Sequence, residues 1–211
     1  MTLRVDLRAE RTLAGMTGDL RSARLDAGLS QNELAVGLPV RGRAVSEWET
    51  GAVEPTLAHL MLLARALGRR LVVLGRDGEV LSGRLRVRAG EPWEVFERRR
   101  LAVPLRNRRL ALGLSQQALG RCVGVSRDSI QRWELVRVPP RPIALIVWAQ
   151  KLGYTVALER LDSFSRWAGT SDQFDRQLRD LINTLAAAQK GDHHVHQRGP
   201  LADSCEEAGG R

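Results

Sequence analysis

Cysteine and lysine are nearly missing from this 211-residue chain. Cys122 and Cys205 are the only cysteines, far apart and in different surroundings, which excludes a disulfide framework and a cysteine-based zinc site. Lysine occurs only at Lys151 and Lys190, so arginine carries nearly all the positive charge. That bias suits fork-like recognition of phosphate and guanine, and it is equally what a genome rich in G and C produces. Long apolar runs are also lacking. The longest, Ile143 to Ala149, is far too short to span a bilayer. Charges at Arg4, Asp6, Arg8, Glu10 and Arg11 deny the N-terminus the apolar stretch of a signal peptide. No Gly-rich phosphate loop, nucleophile elbow or helical pair of metal ligands is found, so neither an enzyme nor a cofactor or metal is expected. These absences point to a cytoplasmic protein with no membrane partner.

What is present is positive charge, repetition and helical spacing. The net charge of +9 on a chain that is 43% hydrophobic describes a globular protein that favours polyanionic partners. Leu25-Asp26-Ala27-Gly28-Leu29-Ser30-Gln31 returns 85 positions later as Leu110-Ala111-Leu112-Gly113-Leu114-Ser115-Gln116. The same gapless offset pairs Leu34 with Leu119, Trp48-Glu49 with Trp133-Glu134, Pro55 with Pro140 and Leu67-Gly68 with Leu152-Gly153. About eighteen of roughly fifty aligned positions are identical, so the chain is a duplicated domain.

Each copy reads as a string of short helices. Leu20 to Ala27 has helical spacing and stops at Gly28. Ser30 with Glu33 forms a capping box for a helix through Leu38. A third helix passes through Val45 and Trp48 to Thr50 and closes at Gly51. A fourth begins after Pro55, buries Leu57, Leu60, Ala64 and Leu67 on one stripe, and ends at Gly68. The β-branched segments Arg70 to Leu74 and Tyr154 to Leu158 then read as strands. A lone strand leaves half its backbone groups unpaired, so these two are expected to pair antiparallel, extended by Glu79-Val80-Leu81 beyond the Asp77-Gly78 turn.

Two short helices joined by a tight turn, the second presenting polar side chains, is an arrangement that lies in a DNA major groove. Gly28-Leu29-Ser30-Gln31 through Trp48-Glu49-Thr50-Gly51, and Gly113-Leu114-Ser115-Gln116 through Trp133-Glu134, resemble the Cro/phage-repressor-like (XRE-type) helix-turn-helix family over residues 18–74 and 103–159. The resemblance implies a mainly α fold of tandem four-to-five-helix lambda-repressor-like domains, each followed by a short strand. It implies Gln31 and Gln116 as phosphate contacts, and recognition helices over residues 41–47 and 126–132. Val45, Trp48, Ile130 and Trp133 face inward in that reading. Arg41, Arg43, Ser46 and Glu47 in the first copy, and Ser126, Arg127, Asp128, Gln131 and Arg132 in the second, are then the candidate DNA contacts, arginine suiting guanine and glutamine suiting adenine. Solvated charge on an exposed helix face is the ordinary alternative. The resemblance also pairs Arg24 with Glu49 and Arg109 with Glu134 as structural ion pairs.

The copies differ. Copy one has Leu38-Pro39 where the family carries a turn glycine, and places Gly42 early in the recognition helix, where it lowers helix propensity. Copy two keeps Gly124 but has Leu135-Val136 where the family carries a glycine after Glu134. The expected organisation is a first domain with its strand at 1–82, a basic linker at 83–100, a second domain at 101–162, a C-terminal helix at 163–190 and a disordered tail at 191–211. Nine arginines against Glu91, Glu94 and Glu97 give residues 84–109 a net charge of +6, read either as phosphate attraction or as a solvated helix face over Pro92 to Leu101. Phe164 to Leu185 have helical spacing, open to packing on the second repeat, to homodimerisation or to a protein partner. His193, His194 and His196 lie in the tail and lack the fixed geometry of a metal site. The function expected is a sequence-specific, double-stranded-DNA-binding transcriptional regulator, a nucleoid-associated repressor. The alternative is an antitoxin-like or scaffold protein whose main partner is a protein.

Overall fold

The computed structural model describes residues 2–81 and 85–161. The expected C-terminal helix, the dimer or partner surface assigned to it, and the histidine-bearing tail lie outside these residues. Among them are eight helices and two strands, four helices and one strand per repeat. The first repeat comprises α1 (Leu7–Asp26), α2 (Gln31–Val36), α3 (Gly42–Glu49), α4 (Leu57–Ala66) and β1 (Arg69–Leu74). The second comprises α5 (Trp93–Ala111), α6 (Gln116–Val123), α7 (Arg127–Glu134), α8 (Pro142–Lys151) and β2 (Thr155–Arg160). The fold is mainly helical, with a strand closing each repeat.

Local signals set the boundaries. Ser30 accepts from the Glu33 amide while the Glu33 carboxylate accepts from the Ser30 amide, which completes the expected capping box. Ser115, Ser126 and Thr56 cap α6, α7 and α4 through their hydroxyls. α1 is much longer than its Leu20 to Ala27 signal. Asp6 caps it by accepting from the Ala9 amide at 2.9 Å, and Gly15 and Gly18 on the way blur the apolar stripe that would have revealed it. Of the expected Pro92 to Leu101 helix, Pro92 is the N-cap and the rest forms the first half of α5.

Leu34 and Leu119, Val45 and Ile130, Trp48 and Trp133, and Leu60 and Leu145 are buried counterparts in the two repeats. They are the inward stripes of the short helices, which at six to ten residues are too short to be stable alone.

The repeats meet through β1 and β2, which pair antiparallel as expected. The register is symmetrical. Val72 lies opposite Ala157, the residue 85 positions on and therefore its own counterpart. Leu71 faces Leu158, the counterpart of Val73, and Val73 faces Val156, the counterpart of Leu71. The pairing is thus self-complementary about a local dyad, the relation that joins identical chains in a twofold dimer. Helix packing is reciprocal as well: α1 rests on α8 and β2, while α5 rests on α4 and β1. On its other side β1 is paired by residues 79–81, through a Leu74–Val80 bridge and a 2.9 Å bond from the Leu81 amide to the Val73 carbonyl.

The contacts that lock this frame are one-sided. Glu97 on α5 binds Arg70 on β1 and Arg100 on its own helix, and Arg100 also donates to the Leu71 carbonyl. Glu97 and Arg100 are buried, and their counterparts across the dyad are the neutral Thr12 and Gly15, the counterpart of Arg70 being Thr155. The Arg65 guanidinium of α4 sits 4.5 Å from the centroid of the Trp93 ring on α5, whereas the counterpart positions hold Gln150 and Arg8. Burial works against the Glu97 charge, but the charges and hydrogen bonds of Arg100 and Arg70 outweigh it and hold the carboxyl below its ordinary range. Burial also lowers the Arg100 guanidinium to about 10, which leaves it charged at neutral pH.

Glu97→Gln removes the buried carboxylate charge that faces Arg70 and Arg100 and is expected to cost about 3 kcal/mol in urea unfolding. Thr12→Ala, at the counterpart position, should cost less than about 0.5 kcal/mol. Equal costs at both sites would contradict the one-sided lock.

Candidate nucleic-acid interface

Four residues, three on helices and one in the loop between the first two, set the geometry of each helix-turn-helix unit. In the first repeat Arg24, near the end of α1, donates through Nε to Glu49 Oε1 at 2.6 Å and through Nη2 to Glu49 Oε2 at 2.8 Å. Its Nη1 donates to the Leu29 carbonyl at 2.6 Å, and Gln31 Nε2 donates to Glu49 Oε2 at 2.9 Å. The second repeat reproduces all four bonds with Arg109, Glu134, Leu114 and Gln116, at 2.5, 2.9, 2.7 and 2.9 Å. Glu49 ends α3 and Glu134 ends α7, while Gln31 and Gln116 open α2 and α6. The bidentate clamp therefore ties the end of each recognition helix to the preceding two helices and fixes their crossing.

Sequence reading named the arginines and glutamates but missed that both glutamines join them. No spacing marks it, because in a gapless repeat every pair of positions recurs at the same separation. Each glutamine amide keeps a second N–H besides the one given to the glutamate, so the clamp and a phosphate contact are compatible roles.

The clamp leaves one face of α3 and one of α7 outside. In the first unit Val45 and Trp48 are buried, Arg41 and Arg43 are exposed, and Ser46 and Glu47 are half-buried. Arg41 is the N-cap of α3 rather than part of it, and Arg43 Nε donates to Glu47 Oε1 at 2.8 Å across one helical turn. In the second unit Ile130 and Trp133 are buried, Ser126 is the N-cap, Arg127, Asp128 and Arg132 are exposed, and Gln131 is half-buried. The candidate side chains of each helix thus share an outward face.

The two turns are built differently. Gly124 ends α6 in the left-handed conformation at φ 88°, where glycine alone is unstrained. In the first unit Gly37 ends α2 at φ −80°, and Leu38 and Pro39 carry the chain round without a left-handed residue. Gly42 turns out to begin α3, where its low propensity costs little, and a Cβ there would lie 3.1 Å from Asn32 Cα and closer still to the Asn32 side-chain carboxamide. Close approach of α2 and α3 selects that glycine. Beyond the recognition helices, Gly51 takes φ 74° and its counterpart Val136 is forced to φ 59°. A β-branched residue there costs about 1–2 kcal/mol. Val136 packs against the core and, with Trp133, Pro140, Leu145 and Trp148, lines a small cleft.

Charge divides the units further. Arg121, Arg127, Arg132 and Arg137 are exposed on the second, and the first has Val36, Gly42, Glu47 and Ala52 at those positions. The units are also joined beside this surface: the Glu54 carboxylate, in the loop after α3, accepts from Arg141 and from the Ile143 amide at the start of α8.

Comparison with known proteins agrees with this geometry. A family model described as "Helix-turn-helix" matches residues 20–74, and one described as "Helix-turn-helix domain" matches residues 100–161. No curated protein and no solved structure matches the chain. Among the described residues no helix is long and apolar enough to cross a membrane.

Burial opposes ionisation of Glu49, but hydrogen bonds from Arg24 and Gln31 and the Arg24 charge hold its carboxyl below the ordinary 4.5. The unfolded chain therefore takes up the proton first as pH falls. The clamp's stabilisation should be complete above about pH 4.5 and lost as pH drops through the lowered folded value. Urea midpoints measured from pH 7 to 3 should fall in acid, and Glu49→Gln should start about 3 kcal/mol lower and fall less steeply. An unchanged acid slope in that variant would contradict the assignment.

Proposed function

We infer that this chain, which carries two tandem helix-turn-helix domains of the XRE, lambda-repressor type, is a DNA-binding regulator that works as a dimer folded from a single polypeptide. The observation that carries the reading is the strand register, self-complementary about Val72 and Ala157. Twofold relation between reading units is what two half-sites on a duplex demand, and related repressors meet that demand by associating two chains. Here covalent duplication supplies it.

In this reading α3 and α7 enter successive major grooves. Arg43 and Arg127 are suited to guanine and Gln131 to adenine, while Ser46, Glu47, Ser126, Asp128 and Arg132 complete the base-facing surface. Gln31, Gln116 and Arg41 lie at helix starts, where side chain and backbone N–H groups meet phosphate. The outward faces are not alike. The chain should therefore prefer an asymmetric operator, unlike the palindrome that two identical chains read. Bound over a promoter, it excludes polymerase and represses. Such a role places the protein at the nucleoid.

Selection of bound duplexes from a random library at near-physiological salt tests this reading. Two enriched and dissimilar half-sites about one helical turn apart are expected. Absence of enrichment overturns it and favours a protein partner. Arg127→Ala should relax preference at one base position at a cost of about 1–3 kcal/mol. An equal loss on every sequence would reduce Arg127 to a phosphate contact.

A further inference from the structure

The start of the first repeat is attached to the reading unit of the second. The Arg4 amide donates to the Val123 carbonyl at 2.9 Å, at the last residue of α6. The backbone passes so close to Gly124 that a Cβ there would lie 2.7 Å from the Arg4 amide nitrogen, 3.0 Å from Arg4 Cγ, and closer still to the Thr2 carbonyl oxygen. Gly124 is thus selected twice, by its left-handed backbone and by the segment laid across it. Asp6, which caps α1, also lies 3.9 Å from Lys151 at the end of α8, so the arm leaves α1 along the second repeat.

This contact has no mirror image. Across the dyad the counterpart of Gly124 is Pro39, and that of Arg4 is Ala89. The Arg4 side chain is exposed and starts beside Gly124, which precedes Ser126 and Arg127, where α7 begins, by two and three residues. The repeat it lies against carries the exposed Arg121, Arg127, Arg132 and Arg137. A cation fixed through its backbone beside that turn loses little conformational freedom when it meets a phosphate.

We propose that residues 2–4 form an arm of the second reading unit and that Arg4 is one of that unit's contacts to the DNA phosphate backbone. The proposal rests on the DNA-reading function inferred above. The second unit becomes the stronger anchor of the two, because it gains a cation from the opposite repeat and the first unit gains none.

The test uses the full chain on the duplex chosen by selection, with the second unit's half-site identified as the one whose base preference Arg127→Ala relaxes. Arg4→Ala should weaken binding about tenfold at near-physiological salt and reduce the slope of log K against log salt by about one, with base preference and thermal midpoint unchanged. Arg4→Lys should restore most of the affinity, since a phosphate contact needs charge more than fork geometry. On a duplex whose second half-site is scrambled, Arg4→Ala should make little difference. Wild-type affinity and salt slope in Arg4→Ala, or an equal loss on the scrambled duplex, overturns the arm and leaves the DNA-reading function standing. If the wild-type chain selects no duplex at all, both fall together.

Discussion

Everything in this molecule is arranged around six residues of β1 paired with six of β2. A single strand after a four-helix unit exposes a row of unpaired amides and carbonyls, which invites another chain. Duplication places the complementary strand in the same chain, so closure is intramolecular and independent of concentration. Because Val72 meets its own counterpart, closure also imposes twofold symmetry on the helices hung from each strand. The direction in which α3 and α7 face is thereby set far from the helices themselves.

Within each unit the recognition helix is held by the arginine clamp, and the near-identity of its bond lengths in the two copies shows how little that part has drifted. Between the units drift is wide. Glu97 with Arg70 and Arg100, Arg65 over Trp93, Glu54 on the start of α8 and the N-terminal segment on Gly124 all act on one side of the dyad only. Once two copies share a chain, nothing requires their contacts to match. A buried Glu97 between two arginines would be poorly served by a pairing of two β1 strands from separate molecules, so the same contacts favour the correct partner strand.

The repeat, the helix order, both strands and the Ser30–Glu33 capping box were legible because each rests on local spacing: three to four residues for a helical stripe, alternation for a strand, three residues for a capping box. Arg24, Glu49, Arg109 and Glu134 became visible through the resemblance, and the glutamines that join them did not, since a side chain that closes a network leaves no periodic mark. The first half of α1 was hidden by Gly15 and Gly18. Gly42 looked like a weakness in α3 and proved to be the point where Asn32 comes closest. The strand register could not be read at all. Pairing was foreseeable, but whether Val72 meets Ala157 or a residue two places along depends on how α1 and α5 pack across the dyad, a long-range property with no local signature.

The central claim is that one chain does the work of two, and the mass of the complex tests it most directly. A duplex of about three helical turns carrying the selected site, examined by native mass spectrometry or sedimentation, should hold a single 23.4 kDa chain while backbone cleavage shows two protected half-sites. Two chains on that duplex, each protecting one half-site, would contradict the account.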